Sequence, residues 1–185
     1  EKRTQAFLDG PMEITDVSCN YMTLDKVRVS YDGVNFSKSL SCARVFNDLL
    51  EQRYEGDLWL KYEFEVKTLP KQIRFLAEDM NTVSCTFNGR PIVFDGPSDL
   101  DEGILAADIA AFCREGINEA VIQIRFFERE SVYYALFGGG VTESLRNCIV
   151  YDTCIEACYL QGDFGVYSEN HFTEENGLYF CQGDF

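Results

Sequence analysis

The chain has 185 residues, of which 46% are hydrophobic and 14% aromatic, and its formal net charge is −15. A chain of this length can form one domain with its own hydrophobic core. A surface with this much negative charge repels polyphosphates and anionic lipids, which argues against nucleic acids and membrane surfaces as partners. The sequence also has no apolar run of about 18 residues that could span a bilayer.

Alternation of apolar and polar residues is the dominant pattern, and it predicts strands. The predicted strands cover residues 24–31, 58–66, 72–78, 83–87, 120–127 and 155–166. In the clearest of them, 58–66, every second residue is apolar and Trp59 falls on the opposite face. The pairs Asp32-Gly33 and Asn88-Gly89 are turn signals that follow two of these strands.

Two short helices are predicted, at residues 43–52 and 108–114. Asp108 is expected to cap the second helix and Gly116 to stop it. There is no regular alternation of strands and helices, and many short strands joined by turns are typical of a sandwich or barrel. We therefore expect an all-β fold with one or two short helices.

The domain organisation is predicted to be a single β-sandwich over residues 1–185. Residues 168–185 are more polar, and they are either a tail of this domain or the start of the next one. The chain opens with Glu1 and lacks an initiator methionine, so we expect it to be a piece of a longer polypeptide.

The chain offers few residues for nucleophilic or metal chemistry. His171, the only histidine, lies in a polar stretch and is interpreted as an exposed loop residue. Cys148, Cys154 and Cys158 lack the paired spacing of a zinc site, and the last two, on one predicted strand, would lie about 13 Å apart. We expect all eight cysteines to be free thiols, no metal and no cofactor, and a cytoplasmic setting.

An acidic stretch over residues 95–102 contains Asp95, Asp99, Asp101 and Glu102. Carboxylates are the ligands that calcium prefers, but this spacing matches no EF-hand loop. A solvated acidic loop is the favoured interpretation, and calcium binding is left open.

Four short motifs occur in a fixed order. They are Asn20–Asp25 with Tyr31-Asp-Gly33; residues 83–91 with Asn88-Gly89; Asp108-Ile109 with Gly116-Ile-Asn118; and Tyr151-Asp152 with residues 155–166. Together they resemble the β-sandwich region that follows the catalytic barrel in large α-L-rhamnosidase-like glycoside hydrolases, distant relatives of the family 2 glycoside hydrolases. The resemblance covers residues 24–166 and implies a jelly-roll sandwich of the galactose-binding-like type.

The resemblance also implies a parent enzyme that acts on glycosides, with its catalytic carboxylates on a separate barrel. Such a barrel needs about 200 residues of its own, for which this chain has no room, so no catalytic residue is assigned. The first interpretation is a non-catalytic accessory domain that packs on and supports the parent's catalytic domain. The alternatives are a carbohydrate-binding module with a weak sugar site, and an independent enzyme.

A sugar site needs exposed aromatic rings beside polar groups. Tyr133 with Tyr134, and Phe94 with Asp95, are the candidate carbohydrate-binding residues; packing against the sandwich is the competing interpretation. Trp59 and the aromatic stretch 132–137 are predicted to form apolar surface that the catalytic domain covers.

Overall fold

A computed structural model describes residues 18–167, 172–175 and 178–181. The strands are β1 (Asn20–Leu24), β2 (Lys26–Ser30), β3 (Leu40–Ser41), β4 (Gly56–Val66), β5 (Ile73–Glu78), β6 (Thr82–Phe87), β7 (Arg90–Pro91), β8 (Gly96–Pro97), β9 (Ile104–Asp108), β10 (Gly116–Phe126), β11 (Cys158–Gly162), β12 (Phe172–Glu175) and β13 (Leu178–Cys181). The helices are α1 (Cys42–Glu51), α2 (Glu130–Phe137) and α3 (Glu143–Asn147), with a 3₁₀ turn at Ala110–Phe112.

The strands form two antiparallel sheets that pack as a sandwich, and β12 and β13 form a separate pair. The five-stranded sheet has the order β1-β11-β5-β9-β8, and the six-stranded sheet has the order β3-β2-β4-β10-β6-β7. From β4 to β6, and again from β9 to β11, each strand lies in the sheet opposite to the one before it. This crossing between sheets is the jelly-roll arrangement, and it confirms the predicted all-β sandwich with short helices.

The hydrophobic core lies between the two sheets and is built on β4 and β10. Leu58, Leu60 and Tyr62 of β4 are completely buried, as the period-two pattern predicted. Ile122 and Ile124 of β10 lie directly opposite Leu60 and Leu58 and are equally buried. Each such side chain contributes roughly 1.5–3 kcal/mol through removal of apolar surface from water.

Helix α1 confirms the predicted helix at residues 43–52. The Ser41 side-chain oxygen accepts a backbone N–H of the first turn and caps the helix. Val45, Leu49 and Leu50 are buried, so one face of the helix packs on the sandwich. None of the described helices is long and apolar enough to cross a membrane.

Two predicted strands are wrong in extent. The strand predicted over 24–31 corresponds to β2, and its first residue, Leu24, belongs instead to β1, a strand of the other sheet. The chain changes sheets at Asp25. Leu24 is buried at the end of β1 and Val27 and Val29 are buried in β2, so the alternation of buried and exposed residues is interrupted at Asp25. The predicted strand over 155–166 shrinks to the five residues of β11.

The predicted second helix is also wrong. Residues 108–114 contain only the single 3₁₀ turn, and Asp108 ends β9. Its carboxylate accepts the backbone N–H of Ala110 at 2.8 Å, which forms a local turn instead of a helix cap. Helices α2 and α3, by contrast, were not predicted.

Candidate functional site

The two tyrosines predicted to bind sugar lie on α2 and have different environments. Tyr133 is only 6% exposed, and the Arg53 guanidinium lies over its ring, 4.7 Å from the centroid. Tyr134 is 54% exposed. A buried ring cannot stack on a sugar, so Tyr133 lacks the accessible ring face that the prediction required. The exposed ring of Tyr134 has such a face.

The second predicted pair lies at the five-stranded sheet. Phe94 is half-buried, with its ring centroid 6.5 Å from that of Phe75 on β5. Asp95 is exposed, and its carboxylate accepts a hydrogen bond from Arg74 at 2.7 Å. No described contact joins this pair to Tyr134, so the structure does not bring the four residues into one site. Sugar binding by either group stays a prediction.

The segment that carries α2 and α3 is held together at its base by an ion pair. The Arg129 Nε donates to the two carboxylate oxygens of Asp152 at 3.0 and 2.8 Å, across 23 positions of sequence. The backbone N–H of Arg129 also donates to Asp152, at 2.9 Å. These hydrogen bonds, chiefly those of the Arg129 side chain, lower the pKa of Asp152.

A second set of hydrogen bonds fixes the same base to the sandwich. The Glu128 carboxylate accepts the backbone N–H groups of Asp152 and Thr153, both at 3.0 Å. The buried Thr153 hydroxyl donates to the carbonyl oxygen of Phe127 at 3.1 Å and accepts from Asn81 at 2.7 Å. Residues 130–151 therefore leave and rejoin the fold at one rigid point.

Between these anchors, the segment has buried residues on α2 and several exposed apolar side chains. Val132, Tyr133 and Ala135 of α2 are buried. The exposed apolar side chains of this segment, which we call the α2–α3 surface, are Tyr134, Phe137, Leu145 and Val150, with exposed fractions from 44% to 72%. Helices α2 and α3 contact each other, so these side chains belong to one substructure.

The glycines at 138–140 act in the backbone of this segment. A side chain at Gly138 would collide with the carbonyl oxygen and ring of Tyr134. Gly140 adopts a φ of 75°, which glycine tolerates best. Gly138 thus allows a close backbone approach, and Gly140 allows a tight bend.

The acidic stretch is organised by its own backbone. The buried Ser98 hydroxyl accepts the N–H groups of Leu100 and Asp101, both at 3.3 Å. The Asp101 carboxylate accepts the N–H of Gly103 at 2.7 Å. Within the part of the chain that the structure describes, no three His, Cys, Asp or Glu side chains are grouped to hold a metal ion.

Seven cysteines are described, and all are free thiols. Cys154 lies before β11 and not on a strand, so the spacing argued from a shared strand with Cys158 was wrong. Burial raises the pKa of Cys42 to about 11 and that of Cys85 to about 12. The side chain of Cys181 and the whole of His171 lie outside the described residues.

Comparison with solved structures finds the same fold in part of a larger enzyme. Ruminococcus gnavus β-glucuronidase matches 82% of this chain and 30% of its own, with a TM-score of 0.51 and 19% identity. Its complex with uronic isofagomine matches 82% of this chain and 29% of its own, with a TM-score of 0.50 and 18% identity. This chain thus spans about 30% of the length of those chains. No family model and no curated protein matches the sequence.

Proposed function

We propose that this chain is a non-catalytic accessory β-sandwich of a glycoside hydrolase, and that it packs on and supports a separate catalytic domain of the same protein. The α2–α3 surface carries the proposal. Tyr134 and Phe137 remain more than half exposed although their own helix buries its other side against a complete core. An exposed apolar surface on a rigidly anchored segment is suited to contact with another folded domain.

The fold supports the choice of partner. The sandwich resembles about 30% of a β-glucuronidase chain, which leaves most of that enzyme outside the matched region. The sequence motifs independently resemble the sandwich region of glycoside hydrolases whose catalytic carboxylates lie on a separate barrel. A catalytic domain of the same polypeptide is therefore the proposed occupant of the α2–α3 surface.

The proposal expects no glycosidase turnover from the chain alone. Hydrolysis needs two carboxyl groups placed on either side of a bound sugar, usually about 5–10 Å apart. A panel of aryl glycosides tests this directly with the purified 185-residue chain. Turnover that survives repurification and disappears on replacement of one carboxylate would show that the chain is itself an enzyme.

The supporting role is tested in a protein that joins this chain to its catalytic domain. The double replacement of Tyr134 and Phe137 with Ser is expected to shorten the half-life of activity at elevated temperature several-fold, because burial of each ring contributes roughly 1.5–3 kcal/mol. The same replacements should leave the unfolding midpoint of the isolated chain nearly unchanged. Val93→Ser, at a side chain that is 82% exposed in a different loop, is the matched control and should leave both readouts unchanged. An unaltered half-life in the double variant contradicts the proposed role.

A further inference from the structure

The outer face of the six-stranded sheet carries a cleft that neither pair of predicted sugar-binding residues touches. Gln123 of β10 lies directly opposite Trp59 of β4 on one side and Ser84 of β6 on the other. Directly paired residues of antiparallel strands project to the same face, so these side chains form one row. Together with neighbouring side chains they line a cleft of about 310 Å³.

A loop between β2 and β3 forms one wall of the cleft. The Asp32 carboxylate accepts the backbone N–H groups of Val34 and Asn35, both at 2.8 Å, and these bonds lower its pKa. Gly33 has a φ of 75°, and a Cβ there would lie 3.1 Å from the Trp59 ring. The glycine backbone therefore packs directly against the indole, and the loop holds Trp59 in place.

This contact revises the expectation for Trp59. The indole does lie on the outer face, as predicted, but the loop covers part of it and leaves it half-buried. The ring is thus fixed in orientation before any ligand arrives. A fixed aromatic ring loses little conformational entropy on binding.

Besides Phe36 and Val121, the rest of the lining is mostly polar, and some of its hydrogen-bonding groups are available to a ligand. The Ser84 hydroxyl donates to Oε1 of Gln123 at 3.2 Å, while the amide nitrogen of Gln123 has no partner among the described residues. The Thr86 hydroxyl lies in the next row of the cleft. Lys61 donates to Glu119 at 3.3 Å, so the cation and the carboxylate in the cleft compensate each other.

We propose that this cleft binds one neutral hexopyranose unit, with the apolar C–H face of the sugar against Trp59 and its hydroxyls on Gln123, Thr86 and Glu119. An aromatic ring beside amide, hydroxyl and carboxylate groups matches the alternating apolar and polar surface of a sugar. The charge of Lys61 is already paired and the chain carries a net charge of −15, which disfavours an acidic sugar.

The size of the cleft sets the length of the ligand. A volume of about 310 Å³ is at the lower end of small-molecule sites, which span roughly 300–1,000 Å³, so it accommodates about one sugar unit. One stacked ring and a few hydrogen bonds in an open cleft give an affinity in roughly the millimolar range. The proposal does not depend on the supporting role of the domain.

The experiment uses Trp59 as its own reporter, because it is the only tryptophan in the chain. The isolated chain is titrated with glucose, galactose and mannose to about 100 mM, and the single indole N–H resonance and the tryptophan fluorescence are followed. At least one hexose should give a saturable change in both signals. Glucuronate, the acidic control, should bind no more tightly.

Two variants decide whether the cleft is responsible. Gln123→Ala should weaken the hexose affinity about fivefold or more, in line with one lost hydrogen bond. Gln52→Ala removes a solvent-exposed amide at the end of α1 and should leave the affinity unchanged. The unfolding midpoints of both variants establish that they remain folded. Absence of saturable change with every neutral hexose, equal affinity in Gln123→Ala, or tighter binding of glucuronate would each overturn the proposal.

Discussion

The side-chain nitrogen of Asn88 donates a hydrogen bond to Oδ1 of Asn118 at 2.8 Å, and this pair joins the β6–β7 turn to the start of β10. Asn88 has a φ of 49°, a left-handed conformation that asparagine tolerates in a two-residue hairpin turn. Asn118 is completely buried, and its amide nitrogen donates to the carbonyl oxygens of Arg114 and Gly116 at 2.7 and 3.0 Å. The Asn88–Asn118 pair thus forms hydrogen bonds with several backbone groups at one end of the sandwich.

Replacement of Asn118 by Ala should lower the free energy of unfolding by about 2–3 kcal/mol, because it removes a buried amide that hydrogen-bonds to Asn88, Arg114 and Gly116. Equilibrium denaturation in urea measures the change. Asn147→Ala, at an exposed residue of α3, is the matched control and should change the stability by less than about 0.5 kcal/mol. An equal effect of the two replacements would mean that the pair contributes no stability.

Asp152→Asn should loosen residues 130–151 without unfolding the sandwich, because it removes the charge that binds Arg129 at the base of the segment. Hydrogen exchange of α2 amides is the measurement. Faster exchange in α2, with unchanged exchange in β4, is expected. Uniform acceleration in both elements would indicate a global effect instead.

The same ion pair predicts a pH dependence with a definite sign. Since the pKa of Asp152 is lowered in the folded protein, its stabilisation is present above the unfolded pKa of about 4 and is lost as the pH falls through the folded value. The pKa of Glu128 is raised, chiefly by burial, so Glu128 acts in the opposite direction. The charge of Asp152 also contributes to the raised pKa of Glu128, so the difference between wild type and Asp152→Asn reports Asp152 together with its coupling to Glu128. This difference should shrink below about pH 4. A constant difference between pH 7 and pH 3 contradicts this.

The sequence predicted an element correctly where the local pattern of residues reflects their burial or backbone conformation in the folded protein. Residues 58–66 alternate because β4 has one face in the core, and Asn88-Gly89 forms the turn that its backbone preferences favour. The change of sheet at Asp25 was missed because the residues on both sides of it have strand composition. Only the shift in which positions are buried, from Leu24 to Val27, marks the change.

Helix α2 and the outer cleft were missed for different reasons. Half of the residues of α2 are valine or aromatic (Val132, Tyr133, Tyr134 and Phe137), and such residues favour strands. Only the spacing of Val132 and Ala135, with Gly138 as the stop, indicates a helix. The cleft depends on residues from three strands and a loop, brought together by the β4–β10–β6 register. No local pattern in the chain encodes that register.

The buried thiols should be distinguishable by their reactivity. Thiolate is the reactive form, and burial raises the pKa of Cys42, Cys85 and Cys158, so these should react slowly with a thiol reagent at pH 8. Cys19 and Cys148 are exposed and should react first. In denaturant without reductant, the titration should count all eight cysteines. Loss of thiols in pairs, located by peptide mapping, would reveal disulfides.

Tyr62→Phe should lower the free energy of unfolding by about 1 kcal/mol. The Tyr62 hydroxyl is completely buried and donates to the carbonyl oxygen of Glu156 at 2.8 Å, so its removal leaves that oxygen without this donor. Tyr134→Phe, at an exposed ring, is the control for the chemical change itself. A Tyr62→Phe protein as stable as wild type in urea would show that the hydrogen bond contributes nothing net.

The edges of the two sheets bear on how the domain behaves at high concentration. Within the described sandwich, β3, β7 and β8 end their sheets with only two residues each. The longer edges are β1 and the part of β6 before Thr86, which β7 does not cover. Short edges present few unpaired N–H and C=O groups to a foreign strand, which limits aggregation. Strand addition is thus limited to Asn20–Leu24 and to the part of β6 that β7 does not cover. Two copies that met at either edge would approach against a charge of −15 on each chain.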